Sequence, residues 1–150
     1  MKSGKNPETD TEIAVIIVNF GTADLTISAV ESVLARRHGG RPLDVHVVDN
    51  ASPGDDAAKL AEAHAARGWG ARVRLWPEAE NHGFGRGNNL VFGALAARET
   101  PPEFVFLLNP DAELENEAID ILARALEADD GAGAAGAGIS FPDGSPAAVS

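Results

Sequence analysis

Residues Ile13-Ala14-Val15-Ile16-Ile17-Val18 form a continuous apolar run rich in β-branched side chains, broken by Asn19-Phe20-Gly21-Thr22. A short run of this kind, bounded by turn formers, predicts a strand buried on both faces, as in parallel sheets. Beyond the break, Ile27, Val30, Val33 and Leu34 recur at helical spacing, and Gly39-Gly40 and Pro42 end that segment. The alternation then repeats. Val45-His46-Val47-Val48 reads as a strand, Asp49 to Gly54 as a turn cluster, and the Ala-rich stretch Asp55 to Arg67 as a helix stopped by Gly68. Val73-Arg74-Leu75-Trp76 predicts a short third strand, and Asn81 to Gly87 a glycine-rich loop ahead of a helix over Leu90 to Ala97. Phe104 to Leu108 is the most apolar strand and the expected most buried one, with Asn109-Pro110-Asp111 terminating it. Ile119, Leu122 and Leu126 mark an amphipathic helix for which Asn116 is the expected cap, and Ile139-Ser140-Phe141 predicts a fifth strand before the turn Pro142-Asp143-Gly144.

Strands alternating with helices imply βαβ units, hence an α/β, Rossmann-like fold with a mostly parallel sheet flanked by helices. Residues 1–11 carry no apolar pattern and are expected to be a disordered leader, leaving 12–150 as one domain. The chain has 150 residues and 0 cysteines, which excludes disulfides and cysteine-based zinc modules. No apolar run approaches the ~20 residues that cross a bilayer, and the polar N-terminus is unlike a signal peptide, so a cytoplasmic protein is expected. With 12 Lys+Arg against 23 Asp+Glu, the formal charge is −11. That balance argues against nucleic acid as a partner, which needs a basic face. It leaves room for a phosphate ligand whose charge is offset by a cation or by helix N-termini.

In an open parallel sheet, ligands bind at the carboxyl ends of the strands. The segments that follow the strands are Asn19-Phe20, Asp49-Asn50, the loop Asn81 to Asn89, and Asn109-Pro110-Asp111. Taken singly, each is also what an ordinary turn uses. The loop Gly83-Phe84-Gly85-Arg86-Gly87 follows the third strand, whereas a dinucleotide fingerprint belongs to the first, and it lacks the Lys-Ser/Thr of a P-loop. It offers unhindered backbone N–H groups, with Arg86 either facing an anion or simply solvated. Asp111 is the sharpest position: a carboxylate leaving a strand into a cleft can ligate Mg²⁺ or Mn²⁺, with substrate phosphates and water completing the shell. His38, His46, His64 and His82 show no ligand spacing, Trp69 and Trp76 read as packing residues, and Asp143 reads as a turn residue.

Val15 to Phe20, then Val47 to Ser52, then Asn81 to Asn89, then Leu107 to Asp111 form an ordered series. The series resembles the nucleotide-sugar-dependent inverting glycosyltransferases of family two, with the GT-A fold, and within them the bacterial rhamnosyltransferase-like branch. That resemblance implies a hexosyltransferase-type enzyme that moves a sugar from a nucleoside-diphosphate sugar to a hydroxyl of a saccharide or lipid-linked acceptor, with inversion and metal assistance. It implies cell-wall polysaccharide biosynthesis at the inner face of the membrane. Position by position, Val18, Asn19 and Phe20 would line base and ribose, Asp49 would bond the base, and Asn50 would shape the turn. Asn81, Gly83, Gly85, Arg86 and Asn89 would approach the diphosphate and sugar. Asn109-Pro110-Asp111 takes the place of the family's Asp-x-Asp motif with its first aspartate replaced, so Asp111 would be the metal ligand and Asn109 a donor-site neighbour. The resemblance places the family's base in an acceptor-binding half beyond residue 150, so a truncated, donor-binding portion is expected and no catalytic residue is named. The alternatives are a non-catalytic nucleotide-sugar-binding module or inactive fragment, and, less favoured, a receiver-like signalling domain, which needs acidic residues where Asn19-Phe20 stands. An uncovered sheet edge would make a homo-oligomer the way to cover it.

Overall fold

The order of elements in the computed structural model, which describes residues 12–147, follows the predicted alternation. Strand β1 (Ile13–Asn19) leads to helix α1 (Ala23–Leu34), β2 (Leu43–Asp49) to α2 (Asp56–Ala66), β3 (Val73–Pro77) to α3 (Gly83–Ala96), and β4 (Phe104–Leu107) to α4 (Ala118–Ala128). Single 3₁₀ turns at His38–Gly40 and Gly70–Arg72 complete the two connections into β2 and β3. The sheet is all-parallel and four-stranded, in the order β3-β2-β1-β4. This is the α/β fold expected from the sequence.

β1 lies between two strands and under helices on both faces, and all of its residues are buried. Alternate residues serve the two cores, as the two-residue period of a strand requires. Ile13, Val15 and Ile17 pack with Val45, Val47 and the apolar stripes of α1, α2 and α4. Ala14, Ile16 and Val18 pack with Val48 and with Val91 and Leu95 of α3. One face therefore carries three helices and the other carries α3.

Four sequence expectations need correction. β4 is the edge strand, half-buried rather than the most buried, and Leu107 is 46% exposed; its hydrophobicity serves the α4 face through Phe104 and Phe106, while its outer edge has no strand beside it among the described residues. Residues Gly83 to Gly87 are not a loop, because α3 already starts at Gly83. Asn116 does not cap α4: the helix begins after Glu117, whose carboxylate accepts from the backbone N–H groups of Arg37 (3.0 Å) and His38 (2.9 Å). Those two N–H bonds hold the Glu117 carboxyl below the usual range. Finally, Ile139 to Phe141 adds no strand to the sheet. Ser140 makes an isolated antiparallel bridge with Pro146 around a turn in which Asp143 accepts from Ser145 N (2.8 Å) and Oγ (2.6 Å). The expected leader 1–11 lies outside the described residues.

Two ionic clusters fix the amino-terminal side of the sheet. Arg41, buried at 5% exposure, pairs with Asp120 (3.1 Å) and with both oxygens of Glu127 (2.8 and 2.9 Å), which docks α4 beside the start of β2. Hydrogen bonding to Glu127 outweighs burial and holds the Arg41 guanidinium firmly charged. Asp44 is bonded by Arg98, which also reaches Glu12 (3.0 Å), and lies 2.9 Å from His46 Nε2. Trp76 Nε1 donates to His46 Nδ1 (3.1 Å), so the ring proton sits on Nε2 and faces Asp44. Burial pushes the Asp44 carboxyl up, but the adjacent His46 ring and the bond from Arg98 prevail and bring it down to about 2.

Candidate active site

Because all four strands are parallel, their carboxyl ends lie along one edge, and so do the segments that follow them. The order reverses direction between β1 and β4, the place where open α/β sheets form a crevice. Asn19-Phe20 leaves β1 there, and Asn109-Pro110-Asp111 leaves β4. Asn109 closes a turn by accepting from Ala112 N (3.1 Å), and it and Asp111 are exposed.

Asn19 is 0% exposed and organises the centre of this edge. Its amide nitrogen donates to Asp49 Oδ1 (2.9 Å) and Asp56 Oδ2 (3.0 Å), with Ser52 Oγ at 3.2 Å. Its side-chain oxygen accepts from Thr26 (2.8 Å) and Thr22 (3.1 Å). Ser52 donates to Asp49 Oδ1 (2.5 Å) and accepts from Gly21 N (2.9 Å). Both bonds to Asp49 therefore fall on Oδ1, and among the described residues its Oδ2 receives none. A buried carboxylate with one oxygen held and one available is suited to a donor brought by a ligand.

Asn50 joins β2 to α3. Its Nδ2 donates to Asn81 Oδ1 (3.1 Å), its Oδ1 accepts from His82 N (2.9 Å), and Asn81 Oδ1 also accepts from Gly83 N (2.7 Å). The next residue, Ala51, has φ +56°, a left-handed conformation uncommon for alanine and often found near functional sites. Gly83 has φ +74°, so a glycine is required where the chain turns into the helix. The first backbone N–H groups of α3 have no intrahelical partner. Gly85, Arg86 and Asn89 lie exposed on its opening turns. At Gly87 α3 passes close to β1, since a Cβ there would sit 3.1 and 3.3 Å from the methyls of Val18.

The structure thus joins Asn19, Asp49, Asn50, Asn81 and Gly83 through hydrogen bonds, and brings Val18 against α3. Phe20 (50% exposed), Arg86, Asn89, Asn109 and Asp111 stand on the surface, with no side-chain hydrogen bond among the described residues. Sequence reasoning missed Asp56 and Thr26; Gly87 and Asn88 fell within the expected Asn81 to Asn89 segment without a role of their own, and Asn88 Nδ2 bonds Phe84 O (3.0 Å). Thr26 was detectable: it lies on the stripe of Ala23, Val30 and Val33. Asp56 likewise lies on the stripe of Leu60 and Ala63, where polar residues need partners.

No group of three or more His, Asp or Glu side chains among the described residues could hold a metal. The donor set for a cation is one exposed carboxylate, Asp111, which fits an ion that arrives with phosphate oxygens and water rather than one caged by protein. No helix of the described residues is long and apolar enough to cross a membrane.

A parallel sheet in the order 3-2-1-4 with a polar crevice at its switch point defines an open α/β protein whose ligand crevice lies outside the carboxyl ends of its strands. The chain belongs to glycosyl transferase family 2, whose model matches residues 14–148. Among solved structures it is similar to the mannosyltransferase PcManGT from Pyrobaculum calidifontis, in complex with GDP-Man and Mn²⁺, at 20% identity and TM-score 0.62 over 84% of this chain and 34% of that one. It is also similar to S. aureus TarS 1-349, at 18% identity and TM-score 0.57 over 78% of this chain and 32% of that one. The complex of TarS 1-349 with UDP-GlcNAc aligns at 16% identity and TM-score 0.59 over 78% and 31%. These likenesses show a shared glycosyltransferase fold, and the chain spans about a third of the length of each. No curated protein matches the chain.

Proposed function

We propose that this chain binds a nucleoside-diphosphate sugar at the carboxyl edge of the sheet and serves metal-assisted, inverting transfer of the sugar to an acceptor hydroxyl. The observation that carries the reading is the Asp49 carboxylate, buried and held on Oδ1 alone, set between the ends of β1 and β2 in a family 2 glycosyltransferase fold. In this reading Asp49 Oδ2 accepts from the base, with Val18 and Phe20 beside it. Asn19 acts through Asp49, since all its own polar atoms are engaged within the protein. Asn50 and Asn81 set the entry into α3. There Gly83 and Gly85 leave the backbone open, and Arg86, Asn89 and the opening N–H groups that follow that of Gly83 face the diphosphate and sugar.

Asp111 would hold the cation, with Asn109 beside it. Held there with the donor's phosphates, a divalent cation would supply Lewis-acid stabilisation of the charge on the departing oxygen. The chain's own part is to fix the nucleoside and leave the anomeric carbon open on the face opposite the phosphates, as inversion demands. The net charge of −11 fits this division of labour, because the diphosphate meets backbone N–H groups, Arg86 and a cation instead of a basic surface. Residues 12–150 as a donor-binding domain, the rhamnosyltransferase-like branch, a hexosyl donor, a saccharide or lipid-linked acceptor, a peripheral membrane location and pairing along the open β4 edge complete the proposal.

The test is calorimetric titration of uridine, thymidine and guanosine diphosphates with and without Mn²⁺. We expect binding to one of them that strengthens with Mn²⁺, and loss of that gain in Asp111→Ala. An unchanged Mn²⁺ gain in the variant would sink the metal role, and no binding of any of the three would sink the donor reading.

A further inference from the structure

We propose that Asp56 is a positioning residue for the nucleoside end of this site, an inference that rests on the donor-binding reading above. Asp56 opens α2, yet its Oδ2 points away from its own helix. That one oxygen accepts from Asn19 Nδ2 (3.0 Å) and from the backbone N–H of Ala23 (3.1 Å), the first residue of α1. Thr22, at the N-cap position of α1, makes no capping bond with its side chain, so Asp56 supplies the cap from another element. A carboxylate at a helix N-terminus is also favoured by the helix dipole.

Counting hydrogens shows what this contact decides. The Asn19 amide has two protons, and two carboxylates compete for them with Ser52 Oγ. Asp56 takes one proton, and the geometry of a planar amide then directs the other to Asp49 Oδ1. The amide cannot rotate to exchange its oxygen and nitrogen, because its oxygen is held by Thr22 and Thr26. Asp56 on the amide nitrogen and the two threonines on the oxygen together fix Asn19, and Asn19 with Ser52 holds Asp49 by Oδ1 so that, among the described residues, Oδ2 stays free. Asp56 is 8% exposed and lies behind this network, so its effect passes through Asn19 and not through the ligand.

The experiment compares Asp56→Ala, Asp56→Asn and Val33→Ala with the unaltered chain, each titrated with uridine, thymidine and guanosine diphosphates plus Mn²⁺ well below its melting temperature. Asp56→Ala strands two buried donors, and we expect roughly tenfold or greater loss of affinity. Asp56→Asn keeps a neutral acceptor where Oδ2 stood and restores affinity to within about fivefold. Val33→Ala opens a core cavity at the far end of α1, ~15 Å from Ala23 along the helix, and lowers the melting temperature while leaving affinity unchanged. Affinity of Asp56→Ala equal to the unaltered chain, or a loss in Val33→Ala that follows its melting temperature as closely, overturns the positioning role. Binding of none of the three nucleotides by the unaltered chain overturns the donor reading, and the role of Asp56 with it.

Discussion

Replacing Asn19 by aspartate exchanges one heavy atom in a buried side chain that bonds Asp49, Asp56, Thr22 and Thr26. The variant keeps the shape and the acceptor oxygen, but it replaces the amide that donates to Asp49 at 2.9 Å and Asp56 at 3.0 Å. Two hydrogen bonds to charged groups disappear, each worth about 1.5–3 kcal/mol. An ionised carboxylate at position 19 would repel each of the other two by ~5 kcal/mol at these spacings and an effective dielectric of 20. The folded variant has a less costly option, which is to bind one proton across the three carboxyl groups. Drawing that proton at pH 7 onto an acid of ordinary pKa near 3.9 costs about 4 kcal/mol. The new O–H then satisfies one of the two acceptors, so one bond of about 1.5–3 kcal/mol stays lost. The expected destabilisation at pH 7 is therefore roughly 5–7 kcal/mol, comparable to the whole stability of a domain.

The pH dependence separates this account from mere disruption. The extra proton belongs to the folded state, so the folded variant binds more protons than its unfolded chain and its stability falls as pH rises. Between pH 7 and pH 5, Asn19→Asp should regain about 1.4 kcal/mol per pH unit relative to the unaltered protein. Urea unfolding followed by circular dichroism at pH 5, 6 and 7, for both chains, measures the difference directly. A destabilisation that stays constant across that range refutes the shared-proton argument. A variant as stable as the parent at pH 7 refutes the hydrogen-bond assignment itself.

Two further variants test the opposite side of the sheet. Gly39 has φ +65° and a Cβ there would lie 2.5 Å from Asp120 Oδ1, so Gly39→Ala should cost more than ~2 kcal/mol; in an Asp120→Ala background the penalty should shrink to the ~1–2 kcal/mol of left-handed strain, read from a double-mutant cycle of unfolding free energies. Asp44 sits at about 2 against an ordinary 3.8, a depressed carboxyl, so its stabilisation is complete above about pH 4 and is lost as pH falls towards 2. Asp44→Asn should therefore be less stable than the parent at pH 5, with the gap closing by pH 2 in acid-titrated urea melts; a gap that persists to pH 2 would contradict the assignment.

Strand and helix order were legible because each element's hydrophobic period matches its environment. β1 is the clearest case, six apolar residues in a row and burial on both faces. The same reasoning misplaced β4, because apolar content reports how much a strand can bury, not whether it has a neighbour on each side. Glycine misled in another way. Its weak helix propensity marks residues 83–87 as a loop, yet the Asn50–Asn81 bonds and the close crossing at Val18 stabilise a helix there, a tertiary effect that propensity does not contain. Of the site, the residues directly after strands could be found from sequence because parallel topology sends them to one edge. Asp56 and Thr26 could not be placed in the same way. Each lies on the apolar stripe of a helix, and its partner is a residue 37 or 7 positions away.

That division has a physical basis that bears on how the site works. A parallel sheet collects its strand ends without regard to what the residues there are, so position alone cannot distinguish a turn former from a ligand-binding group. The distinction comes from hydrogen-bond accounting. Asn50 and Asn81 have their side-chain oxygens engaged by His82 and Gly83, and Asn19 is fully engaged, as turn-forming and positioning residues should be. Asp49 is held on one oxygen only, and Asp111 stands exposed with no partner among the described residues. The two carboxylates left with capacity are those following β2 and β4, on either side of the switch point at β1. A ligand that reaches both must span the end of β1 and carry a hydrogen-bond donor at one end and a cation-bound anion at the other. In the proposed reading, a nucleoside diphosphate bound with a divalent cation supplies that polarity along its length, and the acidic edge meets it through one hydrogen bond and one shared cation.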